Sequence, residues 1–186
     1  MATDSLKFRV ASQADAALLQ VLVRSAYRGE ESRQGWTTEA DLLTGDRIDL
    51  QGIMAKINEP NGAVLVAADE NNNTIACCEV LQSNDDSAYF GMFAVDPLRQ
   101  GGGLGRRVLA YAENYCRQEW GVKSIEMTVI WTRHELISWY IRRGYRLTGK
   151  TKPFPYEHLV HDVPLRHDLY FQVLEKTLDT VSGTAP

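Results

Sequence analysis

The sequence is poor in the residues that staple or metallate a fold. Its three cysteines are odd in number, and two of them, Cys77 and Cys78, are neighbours whose side chains leave a strand on opposite faces, which argues against a disulfide framework. The histidines, among them His158, His161 and His167 around Asp162, follow no zinc spacing, so no metal is expected. No apolar run approaches the ~20 residues of a membrane span, and residues 1–5 lack the basic stretch and apolar run of a signal peptide. Positive charge is not in excess either. Twenty lysines and arginines face 24 acidic residues, a formal net charge of -4, so no field gathers nucleic acid or an anionic membrane. These absences lead us to expect a cytoplasmic protein, the nucleus being left open, that partners neither nucleic acid nor membrane. The net charge mildly favours a cationic ligand.

What is present is an ordinary globular balance: 186 residues, 44% apolar and 24% charged, enough for one core and cramped for two. No internal repeat is visible. We expect one domain over residues 1–176 and a flexible tail over 177–186, frayed from Thr180 onward. Residues 8–10 read as a first strand, and Ser12 as the cap of a helix whose buried face carries Ala17, Leu18, Val21, Leu22 and Ser25. The polar stretch 28–45 holds a cap at Thr37 or Thr38 ahead of a second helix. Three apolar or β-branched runs, 63–68, 74–81 and 88–95, are separated by Asn-rich and Asp-Asp turns and read as an antiparallel meander. Leu104, Val108, Ala112, Tyr115 and Cys116 recur at helical spacing until Gly121; a strand at 124–129, a short helix at 135–142 closed by Gly144, and a last strand at 169–174 follow. This order predicts an α/β fold of the α+β type. Its central sheet is mixed and largely antiparallel, with about six to seven strands and helices on both faces.

Between the strand ending at Val95 and the helix starting near Leu104 stands the loop Gln100-Gly101-Gly102-Gly103-Leu104-Gly105-Arg106. Glycines let successive amides point at one spot, and the helix start adds its partial positive charge there, so the place suits a phosphate. Arg106 and Arg107 oppose the helix dipole unless one of them meets an anion. A tight strand-to-helix connection is the plainer alternative. The loop lacks the Lys-Ser/Thr end of a nucleoside-triphosphate loop, and Arg106 breaks the dinucleotide fingerprint, which disfavours both of those classes.

The loop resembles the pyrophosphate motif of the GNAT superfamily of N-acetyltransferases, Arg/Gln-x-x-Gly-x-Gly/Ala after Val-x-Pro, through Gln100, Gly103 and Gly105 with Val95 and Pro97. A second landmark, the aromatic-Tyr helix end followed by Gly-aromatic, is found as Trp139, Tyr140, Gly144 and Tyr145. The resemblance spans residues 8–174. It implies the GNAT fold and acetyl transfer from acetyl-coenzyme A as cosubstrate, without a metal, directly to a primary amine in a ternary complex. By the same resemblance Phe93, Ala94 and Val95, with Gln100, Gly101, Gly102, Gly103, Leu104, Gly105 and Arg106, hold the cofactor on a strand that splays from its neighbour, and Tyr140 protonates the leaving thiolate. Many members carry Asn where this chain has Arg133, so an exposed arginine or a phosphate contact is open there. The catalytic base is left among Glu79, which also reads as a solvated strand residue, Glu157, His158 and water; Tyr89 stands where some members place a glutamate.

Two segments that mix aromatics with charge, 28–36 and 152–158, read as walls of an acceptor pocket or as plain structured loops. With Tyr89, their Trp36, Phe154, Tyr156 and Glu157 are the candidate acceptor contacts. Three functions remain at this level: acetylation of a small-molecule amine, acetylation of a protein or peptide, and a non-catalytic acetyl-coenzyme A sensor. The chain is expected to be a monomer or homodimer.

Overall fold

A computed structural model describes residues 5–179. The chain opens with strand β1 (Lys7–Val10), a single turn, and helices α1 (Ala16–Tyr27) and α2 (Gly29–Ser32). Strand β2 (Leu43–Thr44) and helix α3 (Leu50–Ile57) lead into the meander β3 (Gly62–Ala68), β4 (Thr74–Gln82) and β5 (Ser87–Val95). Then come α4 (Leu104–Trp120), β6 (Ser124–Ile130), α5 (His134–Ile141), β7 (Arg146–Pro153), β8 (Val163–Pro164) and β9 (Tyr170–Thr177). Seven strands form one sheet in the order β1-β3-β4-β5-β6-β9-β7, and β2 pairs with β8 apart from it. Every pairing in the large sheet is antiparallel except β5 with β6, which are joined through the crossover helix α4.

The meander strands are buried on both faces, and their side chains alternate between two cores. Leu65, Cys78, Val80 and Phe90 pack under α4 and α5; Val64, Val66, Cys77 and Met92 pack under α1 and α3. Cys77 and Cys78 therefore do part to opposite faces, and all three cysteines are free and buried. Gly121 ends α4 in the left-handed conformation, φ 65°.

The structure departs from the sequence expectations in four places. The buried stripe of α1 is Ala16, Leu19, Leu22, Val23 and Ala26, whereas Leu18 and Val21 are 52% and 67% exposed. The helix is apolar around more than half its girth, so spacing alone left its phase open. No helix follows Thr37 or Thr38. Thr38 Oγ1 accepts the Ala40 N–H in a local turn, and the next helix, α3, is capped by Asp49, whose carboxylate accepts the Gly52 N–H at 2.7 Å. Strand β7 has no counterpart in the sequence reading: it is a polar edge strand, exposed along nearly its whole length, with no alternation to betray it. Thr177 ends β9 and Leu178 is buried, its N–H donating to Lys123 O at 2.7 Å, so the fold runs past the expected boundary at 176; residues 180–186 of the expected tail lie outside the described residues.

Candidate active site

The site is made where the sheet opens. The β5–β6 ladder ends at the pair Tyr89–Glu126, and from Phe90 onward the two strands separate. Just beyond, the register of β5 against β4 slips between Cys77 and Glu79, and Met92 takes φ 45°, a left-handed value rare for a long side chain. The opening admits residues from both helical layers. Tyr27 at the end of α1 and Tyr140 at the end of α5 both line the space within it.

Two adjoining cavities result. The larger, about 370 Å³, runs from the glycine loop along the end of β5 to α5 and is lined by Trp36, Phe93, Gln100, Arg106, Trp139 and Arg143 among others. Gly101 (φ 93°) and Gly103 (φ 80°) hold conformations that side chains rarely adopt, and a Cβ at either would meet open space, so the loop is shaped for backbone presentation rather than crowding. Gln100 ties the loop down: its Nε2 donates to Val95 O at 3.1 Å, and its Oε1 accepts the Trp36 N–H at 3.0 Å. The ionisable lining of this cleft is strongly one-sided. Arg106, Arg133 and Arg143 contribute to it, with no carboxylate. Arg143 also stacks on Trp139, 4.6 Å from the ring centre.

The smaller cavity, about 120 Å³, lies in the split itself and is lined by Glu39, Arg47, Tyr89, Thr128 and Phe171 with residues shared with the cleft. Tyr27, Phe93, Arg133, Leu136 and Tyr140 line both. Tyr140 is 4% exposed, and burial, with Tyr27 nearby, pushes its hydroxyl pKa well above the ordinary tyrosine value. No described residue hydrogen-bonds that hydroxyl. A buried charge network backs the cavity: Arg28 donates to Glu39 and to Asp162 (2.7 Å), while Arg133 donates to Glu39 (2.8 Å) and to Thr37 Oγ1 (2.8 Å). Its arginines hold Glu39 below the usual carboxylate range against the opposing effect of burial. Arg133, for which the sequence left an exposed position or a phosphate contact open, is thus tied to Glu39 and Thr37 inside.

Of the cofactor residues expected from sequence, Phe93, Val95, Gln100, Gly101, Gly103, Gly105 and Arg106 line the cleft. Ala94 is buried on the α1 face, and Gly102 and Leu104 turn to the other side of the loop. Trp36 lines the cleft and Tyr89 the smaller cavity. Phe154 and Tyr156 line neither; they pack with Leu42, Ile130 and Leu169, and the Tyr156 hydroxyl donates to Arg166 O and accepts the Leu169 N–H. Glu157 and His158 are exposed. Glu79 lines neither cavity and is not solvated: it is 4% exposed and paired with Lys56 at 2.7 Å. The sequence reading passed over Tyr27, Glu39, Arg47, Thr128 and Phe171, which lie on separate stretches and share no motif, and it weighed Asp162 only beside the histidines.

The described residues contain no cluster of three or more histidines, cysteines or acids that could hold a metal, and no helix long and apolar enough to cross a membrane. No curated protein matches the sequence. Among solved structures, a chimera built on the Vibrio cholerae spermidine N-acetyltransferase superposes with a TM-score of 0.68 at 16% identity, over 93% of this chain and 95% of that one. The Vibrio cholerae spermidine N-acetyltransferase in complex with coenzyme A and spermine gives 0.67 at 15% identity, over 94% and 96%. An acetyltransferase of the GNAT family from Staphylococcus aureus Mu50 gives 0.64 at 13% identity, over 94% and 100%. At such identities the likeness is one of fold. The family model for the GNAT acetyltransferases, however, matches residues 29–145, more than half of the sequence, so the chain belongs to the GNAT acetyltransferase family.

Proposed function

We propose that this protein is an acetyl-coenzyme A-dependent N-acetyltransferase that acetylates the primary amine of a small molecule. The observation that carries this is the joining of a cleft lined by three arginines and an amide-presenting glycine loop to a small second cavity, with Tyr140 lining both. The residues fit the cosubstrate. Amides of the glycine loop with Arg106 and Arg143 would take its phosphates, and Trp36, Phe93, Leu136 and Trp139 would flank its apolar arm. When bound, acetyl-coenzyme A supplies the activated acetyl group.

The chain's own part is to orient and to move protons. The free edge of β5 beyond Tyr89 offers backbone groups to the thioester. As the C–N bond forms and the C–S bond breaks, Tyr140 delivers its proton to the departing sulfur. The proton lost by the amine goes to water, because Glu79 is locked against Lys56 outside both cavities, Glu157 and His158 are exposed and line neither cavity, and Glu39 is already bonded to two arginines. A cavity of 120 Å³ suits a small acceptor better than a peptide, which would need an open groove. The three free, buried thiols are in keeping with a cytoplasmic enzyme.

The test is free-thiol release from acetyl-coenzyme A across a panel of small amines and peptides, followed by Tyr140→Phe on the best acceptor. A positioned acid is worth ~10²- to 10⁴-fold, so turnover should fall in that range with cofactor affinity little changed. A loss under about twofold would remove Tyr140 from the role. Cofactor binding with no release from any amine would make the protein a sensor.

A further inference from the structure

We propose that the smaller cavity takes an acceptor carrying a carboxylate as well as its amine, an amino acid rather than a polyamine, and that Arg47 holds the carboxylate. This rests on the acetyltransferase reading above and adds the class of acceptor to it.

Three guanidiniums, those of Arg28, Arg47 and Arg133, gather around the cavity, against the two carboxylates of Glu39 and Asp162. Both acids are spoken for: Glu39 by Arg28 and Arg133, Asp162 by Arg28. The second oxygen of Asp162 accepts the Arg47 backbone N–H at 2.8 Å and leaves that residue's side chain alone. Among the described residues the Arg47 guanidinium has no carboxylate within 4.0 Å and no hydrogen bond; its recorded contact is the face of Tyr27, 4.0 Å from the ring centre. A largely buried guanidinium whose donors lack an acceptor is costly, and a planar fork of this kind matches a carboxylate.

The backbone is also built to put Arg47 there. Its φ of 63° is unfavourable for a non-glycine residue. It is held by the Asp162 bond just described and by the β2–β8 pairing of Leu43 with Pro164 and Thr44 with Val163. Gly45, at φ 116°, packs so closely on the 161–162 backbone that a Cβ would stand 2.2 Å from His161 O. Strain fixed from two sides at the rim of a cavity marks a residue delivered to a purpose.

Polarity gives the orientation. Tyr140 lines both cavities, whereas Arg47 lines the smaller and, on its other side, a surface pocket with His161 and Asp162, so an acceptor with its amine toward the thioester and its carboxylate on Arg47 runs along the split. A polyamine would instead bring a second ammonium to an unpaired guanidinium, and the only acid lining the cavity, Glu39, has no free capacity to offset it. In the transfer the acetyl carbon leaves sulfur for nitrogen, nitrogen loses one proton to water, and Tyr140 gives one to sulfur; the carboxylate takes no part.

The experiment compares thiol release from acetyl-coenzyme A with three panels: free amino acids, the same amino acids as carboxamides, and polyamines. Calorimetry of coenzyme A binding is run in parallel. Free acids should exceed their amides by about tenfold to a hundredfold in kcat/KM. Arg47→Gln should erase that gap, chiefly through KM, with coenzyme A affinity within about twofold of the parent, and Arg47→Lys should restore part of it. Amides or polyamines turned over as well as free acids, or a gap that survives Arg47→Gln, would overturn the carboxylate assignment and leave the acetyltransferase reading intact. Failure to bind coenzyme A sinks that reading instead. If coenzyme A binds and no amine is turned over, N-acetyl amino acids are titrated into the coenzyme A-loaded protein; absence of binding there also overturns the proposal.

Discussion

Tyr140 shows how one residue can be chemically apt because of its neighbours rather than its type. Burial disfavours the phenolate, so the side chain keeps its proton at any pH where the acceptor amine reacts. A donor whose pKa is raised loses its active, protonated form only as pH climbs above that raised value, which lies beyond the ordinary ~10 of tyrosine. The profile of kcat/KM should therefore rise with pH as the amine deprotonates and show no descending limb below about pH 9; a fall between pH 7 and 9 would assign the acid to another group. Glu39 and Glu79, also buried, are each consumed by ion pairs. They illustrate why a buried carboxylate near a site is not by that fact a base.

Among the elements, the glycine loop separates shape from stability. Gly103 needs its positive φ, so Gly103→Val should lower stability by about 1–2 kcal/mol in addition to weakening coenzyme A binding. Gly105 is not in that conformation, and a Cβ there would stand 3.5 Å from Phe93 and 3.6 Å from Trp139, ordinary contact distances. Gly105→Ala should fold with unchanged melting temperature, so any loss in calorimetric coenzyme A affinity is then a loss at the cleft. The start of α1 offers a second test. Asp15 accepts from Arg9 (2.7 Å) and from the Ser12 N–H (2.8 Å), and the Arg9 bond above all draws its pKa down to about 2. A lowered pKa means stability that is present above the unfolded value of about 4 and lost as pH falls through the folded one. Asp15→Asn should thus cost about 1 kcal/mol near neutrality, Arg9 being half exposed, and almost nothing near pH 2, as followed by urea melts across that range.

For the molecule as a whole, the split between β5 and β6 joins the two helical layers at one place and makes the site possible. It also reverses an inference from total charge. A net charge of -4 favours a cationic ligand, yet the cleft is lined by arginines without acids and the smaller cavity carries an unpaired Arg47, because surface acids set the sum and the cavities are lined by what the fold turns inward. The thiols report on the same core. Cys77 and Cys116 are pushed up to about 12 by burial, and burial together with its neighbours raises Cys78 well above the ordinary thiol value. An aromatic disulfide reagent should label none of them in the folded protein and three per chain after denaturation, with melting unaffected by reductant. Rapid labelling of the native chain would mean the core opens easily.

The sequence by itself determined the meander, the crossover helix and the glycine loop, because each is announced locally: apolar runs buried on both faces, a 3.6-residue period, glycines where φ must be positive. It also located Tyr140 through the short aromatic motif at the end of α5. What it left open has a common physical cause. The phase of α1 was undetermined because the helix is apolar on too many sides; β7 was invisible because an edge strand in solvent needs no pattern; and Phe154 and Tyr156, aromatic and loop-borne, turned out to anchor the loop in its own small core. Tertiary structure alone decided the second cavity. Tyr27, Glu39, Arg47, Arg133 and Asp162 come from five separate stretches, and their pairing, which leaves one guanidinium without a carboxylate, exists only once the opened sheet and the β2–β8 clasp bring them within a few ångströms of one another.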